Sequence, residues 1–468
     1  MTGVDCKDLN LLESFILEKM VATKLPGLSL ALLKNSEVIH QRNFGFRDLQ
    51  KRIPPTSETL FGLGSITKVF TALGIMQLRD RGLLSVNDPV SKYLQIKLES
   101  LGEPICIKHL LSHSCGIPAL GYSESKMSER WWMDGYPINS YEDVLTFIHG
   151  AESWAQAKPG RRWFYWNEGY ILLSVIIERL SGMKYVEYIL EHVLDPLNMK
   201  RSFFKREEVE KEIDRATPYL QGRDGTLFVG SNLHSDIPAA GGLVSTMNDM
   251  VKLAQMFLRS GSTKNSGFIS PESLALMQTP FVTMPMEYIE MFAEPAGASK
   301  HDNSYGLGLQ IQKDFFGHMV MGHGGGIMGG TTYFACIPAR QLAVVLLANA
   351  HGYPMSQLAF ASLAYLLDQD FRELSFVRLD SRLELLVGNY ASFRGTILAE
   401  VNRKADGLEL SLRFKHEDRR VSLFPVSFTN ESARFSSFSG GRCIQAEFQL
   451  SNHIDLVYER YAFRKTGS

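Results

Sequence analysis

The sequence predicts an α+β fold: an antiparallel sheet flanked by helices with an inserted helical lobe, followed by a C-terminal antiparallel β-barrel. Strand patterns stand at both ends of a first unit whose middle is helical. Short alternating strand runs fill the last part of the chain. At 468 residues the chain exceeds the size at which one hydrophobic core stops growing, so two units are expected. We place the domains at residues 1–374 and 375–468.

The first domain opens with a helix pattern and a pair of strands. The segment LPGLSLALLKNSEVIHQRNFGF reads as two strands around a turn at Lys34-Asn35-Ser36. Strand patterns return at YGLGLQI, TTYFACIP and LAVVLLAN, and SQLAFASLAYLLDQDF then closes the unit as a helix. Residues 86–280 between them alternate helical patterns with polar loops. Strands from both ends of the unit are therefore expected to join one antiparallel sheet, with the helical lobe inserted.

The second domain has the texture of a small barrel. GLELSLRF alternates leucines with polar residues directly after an Asp406-Gly407 turn, as a half-buried strand does. Similar runs follow at GTILAEV, RVSLFPV, ARFSSF, IQAEFQL and IDLVYERYAF. Their spacing is typical of an antiparallel barrel.

Composition excludes several classes of partner. The 49 basic and 50 acidic residues leave a formal charge of -1. The chain has no block of Lys and Arg residues that could bind along the phosphate backbone of a nucleic acid, so nucleic acid is not expected as a partner. The longest apolar runs fall short of the roughly 20 residues that span a bilayer, so no membrane segment is expected. The N-terminus lacks a signal-peptide pattern, and the five cysteines show no CxxC spacing. A reduced, cytoplasmic protein fits best.

A candidate nucleophile and base stand at the start of one helix pattern. Ser-x-x-Lys occurs four times, but only Ser65–Lys68 opens a long amphipathic helix. Three residues make almost one helical turn, so the two side chains share a face. A helix N-terminus offers N–H groups to a developing oxyanion, and a buried lysine amine can take the serine proton. The alternative is a capping serine beside a surface lysine.

A second motif, Tyr165-Trp166-Asn167, is the only Y-x-N in the chain and stands before an apolar helix. A phenol next to an ammonium is a candidate proton shuttle. Asn167 is a candidate to hold the lysine amine and a substrate amide by hydrogen bonds. The alternatives are a buried hydroxyl at Tyr165 and a helix N-cap at Asn167.

A third motif, His323-Gly324-Gly325, precedes two strand patterns. Glycines let a strand backbone approach a ligand closely. The N–H of Gly326 is a candidate second oxyanion donor beside that of Ser65.

Taken in order, Ser65-x-x-Lys68, Tyr165-x-Asn167 and His323-x-Gly325 resemble the serine β-lactamase-related family, which includes class C β-lactamases, D,D-peptidases, D-aminopeptidases and family VIII esterases. The segments LLSVNDPVSKYL, IKHLLSHSCGIP, DPLNMKRSFF, PAAGGLVSTMNDM and SYGLGLQI are similar to the family's linking segments. The β-rich C-terminal unit is further similar to the lipocalin-like domain of CubicO-type peptidases. That unit is expected either to narrow the mouth of the cleft or to form an interface in a homo-oligomer.

The resemblance implies acyl transfer without a metal or other cofactor. Ser65 would attack a carbonyl, Lys68 and Tyr165 would relay its proton to the leaving group, and water would release the acyl-enzyme. The expected substrates are short peptides or small amides, D-residues included. A carboxylesterase of the same fold is one alternative, and a binding or scaffold protein that acylates slowly or not at all is another. His323 replaces the lysine with which relatives grip a substrate carboxylate, so penicillin hydrolysis is not expected as the main activity.

Several other patterns are interpreted as structural. Gly324–Gly329 matches G-x-G-x-x-G, but strands follow it, which argues against a dinucleotide site. Lys465-Thr466-Gly467 matches a K-T-G triad and is taken as C-terminal tail. His109 and His113, four residues apart, lack further ligands and are expected to be structural rather than metal-binding. Two irregular segments at residues 121–137 and 281–295 are expected to cover the cleft or to pack between units or copies.

Overall fold

A computed structural model describes most of the chain. The described residues are 8–122, 141–222, 225–230, 237–263, 268–285, 303–353, 355–404, 407–413, 418–439 and 442–467. The contacts of the chain divide it into two compact units, Met1–Phe371 and Arg372–Ser468.

The first unit is built on one eight-stranded sheet with the order β2-β1-β14-β13-β12-β11-β10-β9. Three small two-stranded pairs, β3-β8, β4-β5 and β6-β7, accompany it. The strands of this unit are β1 (Gly27–Lys34), β2 (Glu37–Gly45), β3 (Phe61–Gly62), β4 (Glu99–Ser100), β5 (Glu103–Pro104), β6 (Tyr219–Gln221), β7 (Leu227–Val229), β8 (Val244–Ser245), β9 (Val282–Thr283), β10 (Asn303–Tyr305), β11 (Gln310–Phe315), β12 (His318–Ile327), β13 (Gly330–Ile337) and β14 (Leu342–Ala348).

The two ends of the first unit meet in this sheet, as the sequence predicted. β1 pairs antiparallel with β14, which sets Leu28 opposite Ala348. The turn between β1 and β2 consists of Asn35 and Ser36, whose φ values of 55° and 60° lie in the left-handed region. Such a two-residue turn matches the twist of the flanking strands, which explains why the hairpin forms there.

Most helices of the first unit stand between β2 and β9 in the chain, whereas the first precedes β1 and the last follows β14. Those of the first unit are α1 (Leu9–Thr23), α2 (Thr67–Asp80), α3 (Ile107–Leu111), α4 (Tyr141–Ile148), α5 (Asn167–Ser181), α6 (Tyr185–Ile189), α7 (Arg206–Lys211), α8 (Pro238–Gly241), α9 (Met247–Leu258), α10 (Pro271–Met277) and α11 (Met355–Leu366). Residues 86–280 are therefore the predicted helical lobe, inserted between β2 and the later strands of the sheet.

Both faces of the sheet are covered, because successive side chains of a strand point to opposite faces. Phe334 stacks on Phe257 of α9 at a ring-centroid distance of 5.7 Å. Its neighbour Tyr333 lies 6.4 Å from Phe360 of α11. All seven residues of β14 are buried, as expected for a strand with a helix on each side.

The second unit is a closed antiparallel barrel preceded by a helix, α12 (Ser375–Leu386), that the sequence analysis did not predict. The first strand, β15, pairs with its neighbour β16 and also with the last strand, β22, which closes the barrel. Its strands are β15 (Gly388–Ser392), β16 (Leu398–Lys404), β17 (Gly407–Arg413), β18 (Asp418–Phe428), β19 (Ser432–Ser439), β20 (Arg442–Leu450), β21 (Ile454–Tyr458) and β22 (Tyr461–Gly467).

The barrel follows the predicted alternation. Leu408, Leu410 and Leu412 of β17 are buried within it, while Glu409 and Ser411 between them are partly exposed. The run IDLVYERYAF, which we predicted as one strand region, is a hairpin of β21 and β22 with Glu459 in the left-handed region at φ 52°.

The interpretation of Lys465-Thr466-Gly467 as a tail was wrong. These residues belong to β22, and Tyr390 of β15 lies opposite Lys465. The Lys465 amine donates to the carbonyl of Leu385 at the end of α12. The triad is therefore part of the barrel wall. Gly324–Gly329, in contrast, lies in the β12–β13 hairpin. A strand follows these glycines, whereas a dinucleotide-binding motif would be followed by a helix.

Two further properties bear on the earlier expectations. Cys106, Cys115, Cys336 and Cys443 are free thiols. Within the described ranges, no helix has the length and apolar character that crossing a bilayer requires.

Candidate active site

Ser65 lies at the head of α2 in a short 3₁₀ turn, Gly64–Ile66, that runs directly into the helix. The Thr67 hydroxyl donates to the carbonyl of Gly64 over 2.7 Å and holds this turn closed. Ser65 is partly exposed, whereas Lys68 is completely buried. Ser65 and Lys68 therefore share one face of the helix start, as predicted. The lysine amine lies in the protein interior and the serine hydroxyl lies nearer to solvent.

The Lys68 amine is placed between the serine and a backbone carbonyl. Its Nζ lies 3.2 Å from Ser65 Oγ and donates to the carbonyl of Ala240 in α8 over 2.7 Å. Burial lowers the pKa of Lys68 well below its ordinary value, and the charge of Glu168 acts in the opposite direction. The site thus favours the neutral amine, which is the form with a lone pair for the serine proton.

Tyr165 stands over the same amine. The centroid of its ring is 4.7 Å from Lys68 Nζ, and that of Tyr170 is 5.5 Å away. Burial raises the pKa of Tyr165 above its ordinary value, and the nearby Ser65 hydroxyl acts in the opposite direction. The surroundings therefore favour a neutral phenol beside a neutral amine, rather than a phenolate beside an ammonium.

Asn167 is not a hydrogen-bond partner of Lys68 among the described residues. It is the first residue of α5, and Trp166 is the N-cap, so the alternative interpretation of Asn167 as N-cap was wrong. In the described part of the chain its side chain makes no hydrogen bond. The Lys68 amine donates instead to the Ala240 carbonyl, and the role of Asn167 toward a substrate amide stays a prediction.

The glycines of β12 bring this strand against the serine turn. A Cβ on Gly325 would lie 1.9 Å from the carbonyl oxygen of Leu63. A Cβ on Gly64, which has φ 54°, would lie 2.7 Å from the nitrogen of Gly326. Only glycine permits both approaches. The backbone of Gly326 therefore lies next to the turn that carries Ser65.

His323 of β12 is buried and neutral. Its Nδ1 donates to the carbonyl of Gly324 over 2.6 Å, since a carbonyl can only accept. Its Nε2 accepts from the Tyr305 hydroxyl over 2.7 Å. Burial lowers the pKa of His323 to about 3. His323 therefore offers no positive charge to a substrate carboxylate near neutral pH.

Ser65 and Tyr165 open into a cleft of about 550 Å³. Among the described residues, its walls carry no Asp, Glu, Lys or Arg side chain. They are formed by Ser65, Trp163, Tyr165, Met284, Gln310, His323, Gly324, Gly325, Gly326, Thr331, Thr332, Tyr333, His351, Gly352, Tyr353, Met355 and Ser356.

Comparison with known protein families assigns both units. Residues 12–366, more than half of the chain, match the Beta-lactamase family. The chain belongs to the β-lactamase family. Residues 371–464 match the Pab87 octamerisation domain, so the barrel corresponds to this domain rather than to one named lipocalin-like.

Sequence relatives of this β-lactamase-family chain match part of it. Protein flp of Staphylococcus aureus (strain MW2) is 33% identical over 201 residues, which are 42% of this chain and 39% of that protein. Penicillin-binding protein 4* of Bacillus subtilis (strain 168) is 31% identical over 173 residues, 36% of each chain. The match thus spans less than half the length of these relatives.

Solved structures match more of the chain. The octameric penicillin-binding protein homologue from Pyrococcus abyssi is 38% identical with a TM-score of 0.87, covering 98% of this chain and 100% of that one. A penicillin binding protein from Bacillus halodurans is 26% identical with a TM-score of 0.59, covering 75% and 98%. A D-stereospecific amidohydrolase from Streptomyces sp. shares the fold at 22% identity and a TM-score of 0.60, covering 75% and 97%.

The β-lactamase-family site contains residues to which the sequence analysis gave no role in it. The Ala240 carbonyl binds Lys68, and Tyr305 binds His323. His113, interpreted as structural, stacks on Tyr165 with ring centroids 4.2 Å apart. Each lies in a segment quoted for the family resemblance, PAAGGLVSTMNDM, SYGLGLQI and IKHLLSHSCGIP, which was the available signal.

The remaining predictions near the site are settled in part. His109 Nδ1 accepts from the N–H of Cys106 over 3.0 Å, which is a structural contact at the start of α3. Met284 lines the cleft, as expected for the segment 281–295. Trp131, Trp132, Tyr136, Met286 and Met291 lie outside the described residues.

Proposed function

We propose that this chain is a serine hydrolase that forms an acyl-enzyme on Ser65 and cleaves amide bonds in short peptides or small amides. The observation that carries the proposal is the position of the buried Lys68 amine. Its nitrogen lies 3.2 Å from Ser65 Oγ and donates a hydrogen bond to the Ala240 carbonyl. A neutral amine in that position is a general base within reach of the hydroxyl proton.

In the proposed acylation step, the lone pair of Lys68 accepts the Ser65 proton while Oγ bonds to the substrate carbonyl carbon. The carbonyl oxygen becomes an oxyanion, and the N–H groups of Ser65 and Gly326 donate hydrogen bonds to it. The C–N bond then breaks. The leaving nitrogen takes a proton from the Tyr165 phenol, which regains one from the Lys68 ammonium. Water releases the acyl group by the same route in reverse and restores Ser65.

The absence of Lys and Arg from the described cleft wall supports a preference for substrates without a carboxylate beside the scissile bond. His323 is neutral, and the described cleft residues include no Lys or Arg side chain. A carboxylate bound there would lose its hydration without a charged partner, which is costly. Amide-capped peptides are therefore expected to be cleaved faster than the same peptides with a free carboxylate.

Labelling with a fluorophosphonate probe, followed by intact mass measurement, tests the serine. The wild type should gain one adduct and Ser65→Ala none. Ser181→Ala is the matched control, because Ser181 also belongs to a Ser-x-x-Lys pattern but lies at the end of α5. A folded wild type that stays unlabelled would favour the binding-protein alternative.

Turnover of a substrate panel tests the reaction. The panel pairs L- and D-amino acid amides with the matching p-nitrophenyl esters, and capped peptides with uncapped ones. Amide cleavage supports a peptidase or amidase, whereas turnover of esters alone would make the chain a carboxylesterase and contradict the amide proposal.

We further propose that the chain forms a homo-octamer through the barrel. The match to the Pab87 octamerisation domain and the likeness to the octameric Pyrococcus abyssi homologue over 98% of the chain support this. The barrel also exposes large apolar side chains, with Phe393 at 81%, Phe438 at 71% and Val426 at 64% exposure. Contact with other copies would remove them from water.

Light scattering at several protein concentrations tests the assembly. Wild type should have the mass of eight chains, and Phe438→Ser should dissociate at a higher concentration. Ile213→Ser is the control, because Ile213 is 91% exposed but lies in the first unit. A wild type that is monomeric throughout would contradict the octamer.

A further inference from the structure

We infer that His113 is a positioning residue for Tyr165. It accepts hydrogen bonds from the backbone N–H groups of the residues before and after Tyr165 and so fixes the position of the Tyr165 side chain. The inference rests on the proposed function, in which the Tyr165 phenol donates the leaving-group proton. His113 lies two residues after the end of α3, more than fifty residues before Tyr165 in the sequence. The two motifs are thus independent in the chain and meet only in the fold.

Three contacts join His113 to the segment of Tyr165. The N–H of Phe164 donates to the His113 carbonyl over 2.8 Å. The N–H of Trp166 donates to His113 Nδ1 over 2.9 Å. The imidazole also stacks on the Tyr165 ring, with centroids 4.2 Å apart and planes inclined by 35°. The residues before and after Tyr165 are therefore bonded to one residue that also packs on its ring.

The protonation state of His113 suits this role. Because a backbone N–H donates to Nδ1, that nitrogen must be an acceptor, and the ring proton lies on Nε2. Burial lowers the pKa of His113 well below its ordinary value. The ring therefore stays neutral and keeps its acceptor.

Two features of His113 are costly and argue against a role in filling space. Its backbone has φ 56°, a left-handed conformation that few residues other than glycine adopt. Its Nε2 is buried without a hydrogen-bond partner among the described residues. An apolar side chain would fill the same space without a buried, unpaired N–H. What it would lack is the acceptor for Trp166.

His113 also connects the second and third motifs. The ring of Tyr305 lies edge-on to His113, with centroids 4.9 Å apart, and the Tyr305 hydroxyl donates to His323. Tyr165, His113, Tyr305 and His323 thus form one packed series of rings beside the Lys68 amine. A change at His113 is expected to move Tyr165 first, because the bonds to its neighbours are direct.

The test compares two leaving groups. Loss of a p-nitroaniline needs a proton on the leaving nitrogen, whereas p-nitrophenolate leaves without one. A displaced Tyr165 should therefore slow cleavage of N-acetylalanine p-nitroanilide far more than cleavage of the matching p-nitrophenyl ester. A general loosening of the fold would slow both alike.

Three variants separate the contacts. His113→Phe retains a ring but loses the acceptor, and we expect its kcat on the anilide to fall on the order of 10- to 100-fold, with KM unchanged. Its ester turnover should stay within about threefold. His113→Asn retains an acceptor and tolerates the left-handed backbone, so its anilide kcat should stay within about threefold of wild type. In a Tyr165→Phe background, His113→Phe should add little further loss, because it acts through Tyr165.

Far-UV circular dichroism and thermal midpoints check folding. If His113→Phe does not fold, His113→Gly replaces it, since glycine accepts the left-handed φ and also lacks the acceptor. The inference is overturned if the folded variant cleaves the anilide at the wild-type rate, if His113→Asn is as slow as His113→Phe, or if the losses add in the double variant. A wild type that cleaves neither probe contradicts the proposed function itself, and the inference falls with it.

Discussion

The first unit buries a lysine, two histidines and several phenols side by side beneath its cleft, whereas the barrel fills its interior almost wholly with aliphatic and aromatic side chains. Lys68, His113 and His323 are each at most 1% exposed. Within the described part of the barrel, Ser437 is the only fully buried residue with a polar side chain apart from its tyrosines. Burying polar groups costs free energy unless they are paired. In the first unit these three side chains, which can carry charge, lie together beside the Ser65 turn, which marks where its chemistry is expected.

The two units also differ in what they expose. The barrel presents Phe393, Val426 and Phe438 to water, although its interior is closed. The first unit presents a cleft that leads to Ser65 and whose described walls carry no Asp, Glu, Lys or Arg side chain. The first unit thus has ionisable groups buried beside a cleft and the barrel has apolar groups on its surface, which fits the proposed division between catalysis and assembly.

The largest expected effect is on the buried lysine. Lys68→Met removes the general base, so kcat/KM on the preferred amide should fall by about 10²- to 10⁴-fold. Lys184→Met is the matched control, because Lys184 completes the Ser181 pattern and its side chain is 78% exposed. Steady-state kinetics of both variants measure kcat/KM, which should fall only in Lys68→Met. A near-normal rate in Lys68→Met would reassign the base to Tyr165.

A core substitution in the barrel should act on stability and spare the chemistry. Leu410 is completely buried in the barrel, and Leu410→Ala should reduce the free energy of unfolding of that unit by about 2–5 kcal/mol. Denaturant unfolding measures the loss. The rate of fluorophosphonate labelling at Ser65 should stay within about twofold under native conditions, since the contacts of Ser65 and Lys68 are intact. A strong fall in labelling would break the division between the units.

A pair of neighbouring glycines sharpens the description of the cleft. A Cβ on Gly325 meets the Leu63 carbonyl at 1.9 Å, whereas the nearest atom to a Cβ on Gly326 is His351 Cε1 at 3.5 Å. Gly325→Ala should displace the serine turn and lower kcat on the order of 10- to 100-fold. Gly326→Ala should stay within about threefold, because its backbone N–H is retained. Similar rates for the two variants would contradict the close approach of β12.

The smallest effect is on the pH dependence of stability. The pKa of Lys68 is lowered in the folded state, so below its ordinary value of 10.5 the unfolded chain binds a proton that the folded chain does not. Stability is therefore lost as pH falls from 10.5 to the lowered pKa and is constant below it. Lys68→Met should lack this component. The thermal midpoint of wild type minus that of Lys68→Met should rise between pH 7 and pH 10, and a difference that does not change with pH would contradict a neutral buried amine.

Local periodicity explains which parts of the fold were predictable. The alternation of apolar and polar residues correctly predicted β17 and the barrel. The turn at Asn35 and Ser36 correctly predicted the first hairpin. The same reasoning missed α12. It also misinterpreted Lys465 as tail, because the strand that closes a barrel is identified by the strand it pairs with and not by its own residues. A three-residue motif carries too little information to tell a barrel strand from a chain end.

The sequence alone determined that Ser65 and Lys68 lie on one face of a helix start, because three residues make nearly a full turn. It also showed that His323 stands where relatives carry a lysine, and histidine is often neutral at pH 7. The tertiary structure decided the rest. The Ala240 carbonyl that holds the Lys68 amine is 172 residues away, and the Trp166 N–H bonded to His113 is 53 residues away. Such contacts, and the burial that sets the protonation of Lys68, arise only when distant segments pack together, which no local pattern records.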